Sequence, residues 1–329
     1  VLDQKLARLP AEARVFLEVV SVSGQSLDRD EALAAAGLQR SFDDTLFAMR
    51  KSRLLRLVGT KVDTYHDRIR HAVLDQLPPA ARRQLHLGLA EWIAQQVGRL
   101  SEEEIETLVE GSATGERQEA LGRVFDLAYH FDAAEDRRRA LAYALVAAVQ
   151  ARNQSSLDVA AQHYSNARRN ADKAPRSVQF RISRGMAESL MLLGRYLDAL
   201  SEAESALVLA ERPYDIADTN SIRAEVKSKL GLISESISIY KVGLAKLGIV
   251  MPRTRLGLCA DILKETIVQA WHCCFSSRLH RGAPNATSDL ANYMLARFEF
   301  SLYNHNVLAL VWASLVGLNR AERLPHSRA

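Results

Sequence analysis

Aromatic side chains are scarce in this chain, at 6% of 329 residues, and cysteine is scarcer still, at three. An odd count with Cys273 and Cys274 adjacent and no CxxC spacing makes no disulfide framework, so a reducing compartment is expected. Long apolar runs are missing too. The longest, Val307 to Leu318, falls short of the ~20 residues that a membrane helix needs. No basic segment followed by an apolar stretch and a cleavage site opens the sequence, and a cytoplasmic location is expected. The net charge of +4 is small for this length and does not by itself call for a polyanionic partner.

Also absent are the local signatures of catalysis. There is no GxxxxGK[ST] phosphate loop, G-x-S-x-G, H-E-x-x-H or dinucleotide fingerprint. Gly111-Ser-Ala-Thr-Gly115 lacks the lysine and reads as linker. The acidic residues are scattered along helix faces, so no catalytic residue and no enzyme activity are assigned to this chain. Metal ligands on one helix face must lie three or four residues apart. His66 and His71 are five apart, and His272 and His280 are eight apart, so neither pair fits and no metal is expected. Cys259 and Cys273 share a helix face fourteen residues apart, which points to core packing.

What is present is alanine and leucine in a composition 48% hydrophobic and 25% charged, which favours close-packed helices. Pro10 precedes a helix from Ala11 to Val20 with Ala13, Phe16, Leu17 and Val20 on one face. Asp28 is placed to cap Arg29–Ala36, which ends at Gly37, and Ser41 to cap a helix carrying Phe42, Leu46 and Met49. Leu54 to Val58, the turn Gly59-Thr60-Lys61 and Val62 to Tyr65 read as a hairpin. Three small helices followed by a hairpin is the winged-helix order. A helix then starts near Asp67, pauses at Pro78-Pro79 and resumes as Ala80 to Val97. Ser101 with Glu104 matches a capping box inside an acidic, glycine-containing boundary. The expected organisation is a winged-helix-like domain with its following helices over 1–100, a linker over 101–118 and helical repeats over 119–329.

Within the repeats, Ala160, Tyr164 and Ala167 keep spacings of four and three. Ala199, Ala203 and Ala206 repeat them after Gly194-Arg195-Tyr196, and Ser236, Tyr240 and Gly243 repeat them after Gly231. The first members are 39 and 37 residues apart, slightly longer than the ~34 of a tetratricopeptide unit, which this pattern resembles. The third copy is degenerate at Ser236 and Gly243. Three further helices are expected near Leu256–Leu279, Ser288–Leu302 and His305–Arg323. The fold class expected is therefore mainly α, a winged-helix-like start followed by a tetratricopeptide-like α-solenoid, truncated at its end.

The stretch from Tyr65 through Leu77-Pro78-Pro79 to Arg82-Arg83-Gln84-Leu85-His86 resembles the winged-helix segment of STAND-class signalling ATPases. Leu6-Ala-Arg-Leu-Pro10, Gly24, Gly194-Arg-Tyr196, Pro252-Arg253-Thr-Arg255-Leu-Gly257 and Gly317-Leu-Asn-Arg-Ala-Glu-Arg323 fit the same pattern. In those bacterial proteins an AAA-type nucleotide domain precedes the winged helix, and a kinase, nucleotide cyclase or histidine kinase often supplies the output. The resemblance implies a parent protein using ATP or ADP with Mg, and a nucleotide domain upstream of Val1. It also implies a role for Tyr65-His66-Asp67, which matches two positions of the Met-His-Asp triplet that holds ADP in related ATPases. His66 is then the candidate ADP sensor, and Asp67 fixes the helix start.

The expected partners are a protein or peptide on the repeat groove and the neighbouring nucleotide domain, with homo-oligomers compatible. Nucleic acid is less favoured. Helix Ser41 to Lys51 would bring Arg50, Lys51, Arg53 and Arg56 near phosphates, but Asp43 and Asp44 sit at the end that faces base edges. Arg253 to Arg281 is basic and amphipathic, as a membrane-surface helix is, but Asp261 and Glu265 interrupt it.

Overall fold

The computed structural model describes residues 2–38, 42–110, 121–274, 285–303 and 305–323. Ser41, the Gly111–Gly115 stretch and His280 lie outside them. Within the described residues the chain is mainly helical: 17 helices accompany three strands of two to four residues. It divides into two compact units, 1–178 and 179–329.

The first unit begins with α1 (Leu2–Ala7), α2 (Ala11–Val22), β1 (Leu27–Asp28), α3 (Arg29–Ala35), α4 (Asp43–Lys51), β2 (Leu55–Val58) and β3 (Lys61–Thr64). The face read from the spacing of α2 is the buried one: Ala13, Phe16, Leu17 and Val20 are at most 1% exposed. Phe16 meets Phe42, ring centroids 5.0 Å apart, where α4 brings Leu46 and Met49 into the same core. Asp28 caps α3 as expected, its carboxylate accepting from the Asp30 amide at 3.0 Å. The hairpin is antiparallel, with Val58 opposite Lys61. Strand β1, which the sequence reading missed, adds to its other side through Leu27 opposite Val62, giving the order β1-β3-β2. Two residues are too few to show an alternation in sequence.

Two helices follow, α5 (Asp67–Gln76) and α6 (Pro79–Val97), the second starting on a proline that the first turn tolerates. Helix α6 joins two cores. Leu89 belongs to the core of the small sheet, while Ala90, Ile93 and Ala94 belong to a second core. That second core is built with α7 (Glu102–Glu110), α8 (Val124–Ala133) and α9 (Arg137–Asn153). The capping box is present: Ser101 Oγ accepts from the Glu104 amide at 3.1 Å, and Glu104 Oε2 from the Ser101 amide at 2.8 Å. Phe131 stacks on Tyr143 at 5.0 Å, and the Tyr143 hydroxyl accepts from the Leu100 amide. Helix α10 (Leu157–Arg169) packs on α9, burying Ala160, Tyr164 and Ala167.

The second unit takes in most of α11 (Arg176–Leu192), then α12 (Tyr196–Leu209), α13 (Pro213–Lys229), α14 (Ile233–Lys246), α15 (Arg255–Cys274), α16 (Ala286–Leu302) and α17 (Val307–Ala321). The recurring small positions are all inward. Ala199, Ala203 and Ala206 are fully buried on α12, and Ser236, Tyr240 and Gly243 are buried on α14. Ser236 is accommodated because its hydroxyl donates to the Ala224 carbonyl at 2.8 Å, across to α13. Gly243 marks a close approach: a Cβ there would stand 2.5 Å from Met294 Cε and 3.3 Å from Asn220 Cβ.

The cysteine expectation is corrected. Cys259, Cys273 and Cys274 are all exposed. The inward face of α15 is set instead by Leu258, Asp261, Glu265, Gln269 and His272, and most of these are polar. Trp312 Nε1 donates to Asp261 at 2.8 Å, Asn319 Nδ2 donates to the Glu265 carboxylate at 2.8 Å, and His272 Nδ1 lies 2.6 Å from Glu322. The opposite face exposes Leu256, Leu263, Ile267 and Trp271. Spacing located the face shared by the cysteines, but polar ladder contacts with α17 decided which side turned inward.

Several helices end in the same closure. After α8, α9, α11 and α13 a residue with positive φ is followed by an amide that reaches back five residues. The bonds are Asp136 to Phe131 (3.1 Å), Ser156 to Ala151 (2.8 Å), Arg195 to Leu190 (2.9 Å) and Leu232 to Lys227 (2.9 Å). This is the Schellman arrangement. Its left-handed residue is Gly194 after α11 and Gly231 after α13 but Glu135 after α8 and Ser155 after α9, and α3, α4 and α14 close in the same way on Gly37, Arg53 and Gly248. A side chain in that region costs about 1–2 kcal/mol, partly offset by glycine's greater freedom when unfolded. Ser155→Gly is therefore expected to stabilise the first unit by about 0.5–1 kcal/mol, and Gly194→Ala to destabilise the second by about 1 kcal/mol. Urea unfolding followed by circular dichroism reads both shifts; equal midpoints for both variants and the parent would refute the assignment.

Candidate functional site

Three places gather groups with chemical potential, and the first is the start of α5. The N-cap is His66, not Asp67 as the sequence suggested. His66 has extended backbone, and its Nδ1 accepts from the Arg68 amide at 3.4 Å. Asp67 is instead the first helical residue, 3.4 Å from Arg70. An accepting Nδ1 places the neutral ring's proton on Nε2, which leaves an N–H donor on an exposed side chain beside a helix N-terminus. Asp63 holds Arg70 at 2.6 Å and Arg56 at 2.7 Å, so these cations are already paired.

Nearby, α4 presents Asp43, Asp44 and Phe47 to solvent, with Arg50 and Lys51 in its last turn. Arg29 is tied to Asp43. A duplex phosphate would have to compete with Asp63 for Arg56 and with Asp43 for Arg29, which disfavours nucleic acid on this face.

The second place is buried, where α6 meets α8. His86 and His130 face each other with their Nδ1 atoms 2.9 Å apart, 0% and 1% exposed. One nitrogen must donate and the other accept, so both rings cannot be charged. Burial, with His130 and Arg82 adding to it, pushes the His86 imidazole down to about 3. Burial pushes His130 down to about 4 against the opposing pull of Asp126. Beside the pair, Arg123 binds Asp126 at 2.7 Å and the buried Glu31 of α3 at 3.0 Å. Burial raises the Glu31 carboxyl above its usual range, despite that arginine. Gln25 donates to Asp126 at 2.9 Å. No sequence signal pairs two histidines 44 residues apart, and both were missed.

The third place is a groove of about 440 Å³ in the second unit. Helix α11 contributes Arg184, Glu188 and Met191, spaced by four and three so that all share one face. Helix α13 contributes Tyr214, Asp218, Ile222 and Glu225 on the same principle, and α16 contributes Asp289, Leu290 and Tyr293. Arg184 clasps Asp218 through two nitrogens at 2.7 and 3.1 Å and also binds Glu188. Tyr293 donates to Glu225 at 2.9 Å, and the Arg297 guanidinium lies 5.4 Å from the Tyr293 ring centroid. Burial first, then the carboxylates of Asp218 and Glu225 respectively, raise the phenols of Tyr214 and Tyr293 above the usual range. Sequence alone saw these charges only as scattered.

Among the described residues no group of three or more His, Cys, Asp or Glu side chains could hold a metal ion. Among them, too, no helix is long and apolar enough to cross a membrane. No protein-family model, curated protein or solved structure matches the chain.

The histidine pair sets a pH dependence. Both imidazoles have folded values below the ordinary 6.5, so their neutral burial is fully tolerated above about pH 6.5 and opposes folding as pH falls towards about 4. Stability of the first unit is expected to fall as pH drops through that window, on the order of 1 kcal/mol per pH unit or more for the pair together. The double variant His86→Leu/His130→Leu should lose this contribution. Urea midpoints at a series of pH values test it, and a slope identical in parent and variant would refute it.

Proposed function

We propose that this chain is the regulatory and protein-interaction segment of a multidomain signal-transduction ATPase, coupling a partner held on helical repeats to a nucleotide-binding domain outside it. The observation that carries the reading is the groove, which aligns one face from each of α11, α13 and α16. Parallel helix faces offer an extended surface that suits a peptide better than a small substrate. Supporting it, the recurrent small positions on α10, α12 and α14 are all buried, as tetratricopeptide helix pairs require. The order α2, β1, α3, α4, β2, β3 likewise supports a winged-helix-like start.

In this reading the nucleotide domain contributes ATP or ADP with Mg, and His66 is where the present chain touches it. The Nε2–H beside the α5 N-terminus would donate to an ADP phosphate oxygen, so that bound ADP favours the closed state. Partner binding shifts the balance only by its differential affinity for open and closed forms.

Loss of a hydrogen bond to a charged phosphate is worth about 1.5–3 kcal/mol. In the parent protein, His66→Ala is expected to speed ADP release roughly tenfold or more. The informative companion is His66→Asp, which keeps a strong helix cap but places a negative charge at the phosphate. It should release ADP at least as fast while leaving the melting temperature unchanged. ADP retention equal to the parent in both variants would leave His66 as a cap and nothing more.

A further inference from the structure

The groove has a sign as well as a shape. Four carboxylates line it, those of Glu188, Asp218, Glu225 and Asp289, against the single guanidinium of Arg184. Arg297 stands at its edge, 3.9 Å from Glu225. The chain as a whole is basic, at +4, so this acidity is not the average composition showing through. Asp289 is exposed in the first turn of α16. Between the charges lie Met191, Ile222 and Leu290, together with the rings of Tyr214 and Tyr293.

We propose that this groove docks a basic peptide segment of a partner protein, one in which lysine or arginine alternates with aliphatic side chains. The inference rests on the proposed interaction role and adds the chemistry of the partner. Cationic side chains meet the surplus carboxylates, and they can lie over the phenol rings as Arg297 already does at 5.4 Å from Tyr293. Aliphatic side chains meet the apolar floor. Acidic peptides and phosphate-bearing surfaces are repelled by the same carboxylates. A small polyamine satisfies the charges but leaves the floor uncovered, which is why a peptide is the better fit.

The test uses the whole 329-residue chain and two fluorescein-labelled peptides of equal length, one alternating Lys and Arg with Leu and one alternating Glu with Leu. Fluorescence anisotropy is expected to show binding of the basic peptide alone, weakening as salt is raised because the contacts are solvent-accessible. Asp289→Lys should weaken that binding about tenfold or more through like-charge opposition. Glu12→Lys, an equal change of net charge on α2, should leave it unaltered, and far-UV circular dichroism should show both variants folded. Equal affinity for the two peptides, an unchanged affinity in Asp289→Lys, or spermidine binding in the groove without any peptide binding would each overturn the proposal.

A photoreactive phenylalanine at Tyr293 separates the two levels of failure. If the acidic peptide crosslinks there as well as the basic one, the basic preference is wrong while the groove remains an interaction site. If neither peptide crosslinks or binds, the basic preference and the interaction role both fall.

Discussion

Two helices can approach only as closely as the side chains between them allow, and the close packing of this protein depends on keeping those side chains small. Ala160 and Ala167 on α10 and Ala199, Ala203 and Ala206 on α12 are fully buried, and a Cβ at Gly243 on α14 would stand 3.5 Å from the Ala217 backbone oxygen of α13. With little apolar bulk there, the larger residues take the flanking positions: Tyr164 fills one, and Tyr240 meets Phe298 at 5.9 Å in the other unit. The scarcity of aromatics is the compositional face of this constraint. A core of broad rings would hold helices apart, whereas alanine brings their backbones into van der Waals range.

Much of this was legible because it is local. The inward face of α2, the cap at Asp28 and the reciprocal Ser101–Glu104 bonds each depend on residues within about a turn or two of one another. The start of α5 at Asp67 was legible, but its cap was read one residue late. Asp67 is the commoner capping type, yet His66 keeps the extended backbone of a cap and its Nδ1 accepts from the Arg68 amide, while Asp67 is already helical. The cysteines failed for a different reason: spacing defines a face but not its direction. On α15 the inward direction went to Asp261, Glu265 and His272, whose partners sit about fifty residues on.

The features with functional promise were the least legible. The groove takes its charge from three helices whose contributing carboxylates run from Glu188 to Asp289, and each looks like an ordinary solvated face when read alone. The histidine pair is similar, since neither His86 nor His130 carries any local mark of the other. Both sites arise only when the chain has folded, and both place charge where neighbouring helices constrain it. The buried pair excludes charge at the joint between α6 and α8, while the groove concentrates it at a surface. One makes the first unit sensitive to protonation; the other gathers acidic side chains on the surface of the second unit.

The left-handed closures described for α8, α9, α11 and α13 carry an architectural consequence. Each is completed by its own backbone bonds, within six consecutive residues, and asks nothing of the elements beyond it. The stretch from the Ser155 closure to the Gly194 closure therefore starts and finishes in the same conformation. A chain put together from such segments can gain or lose a whole one and still rejoin in register, whereas an insertion of a few residues inside a helix would turn its small side chains away from the seam. Growth by complete segments is thus the mode of length change that this geometry tolerates, and a lineage of such proteins would be expected to differ in steps rather than by degrees.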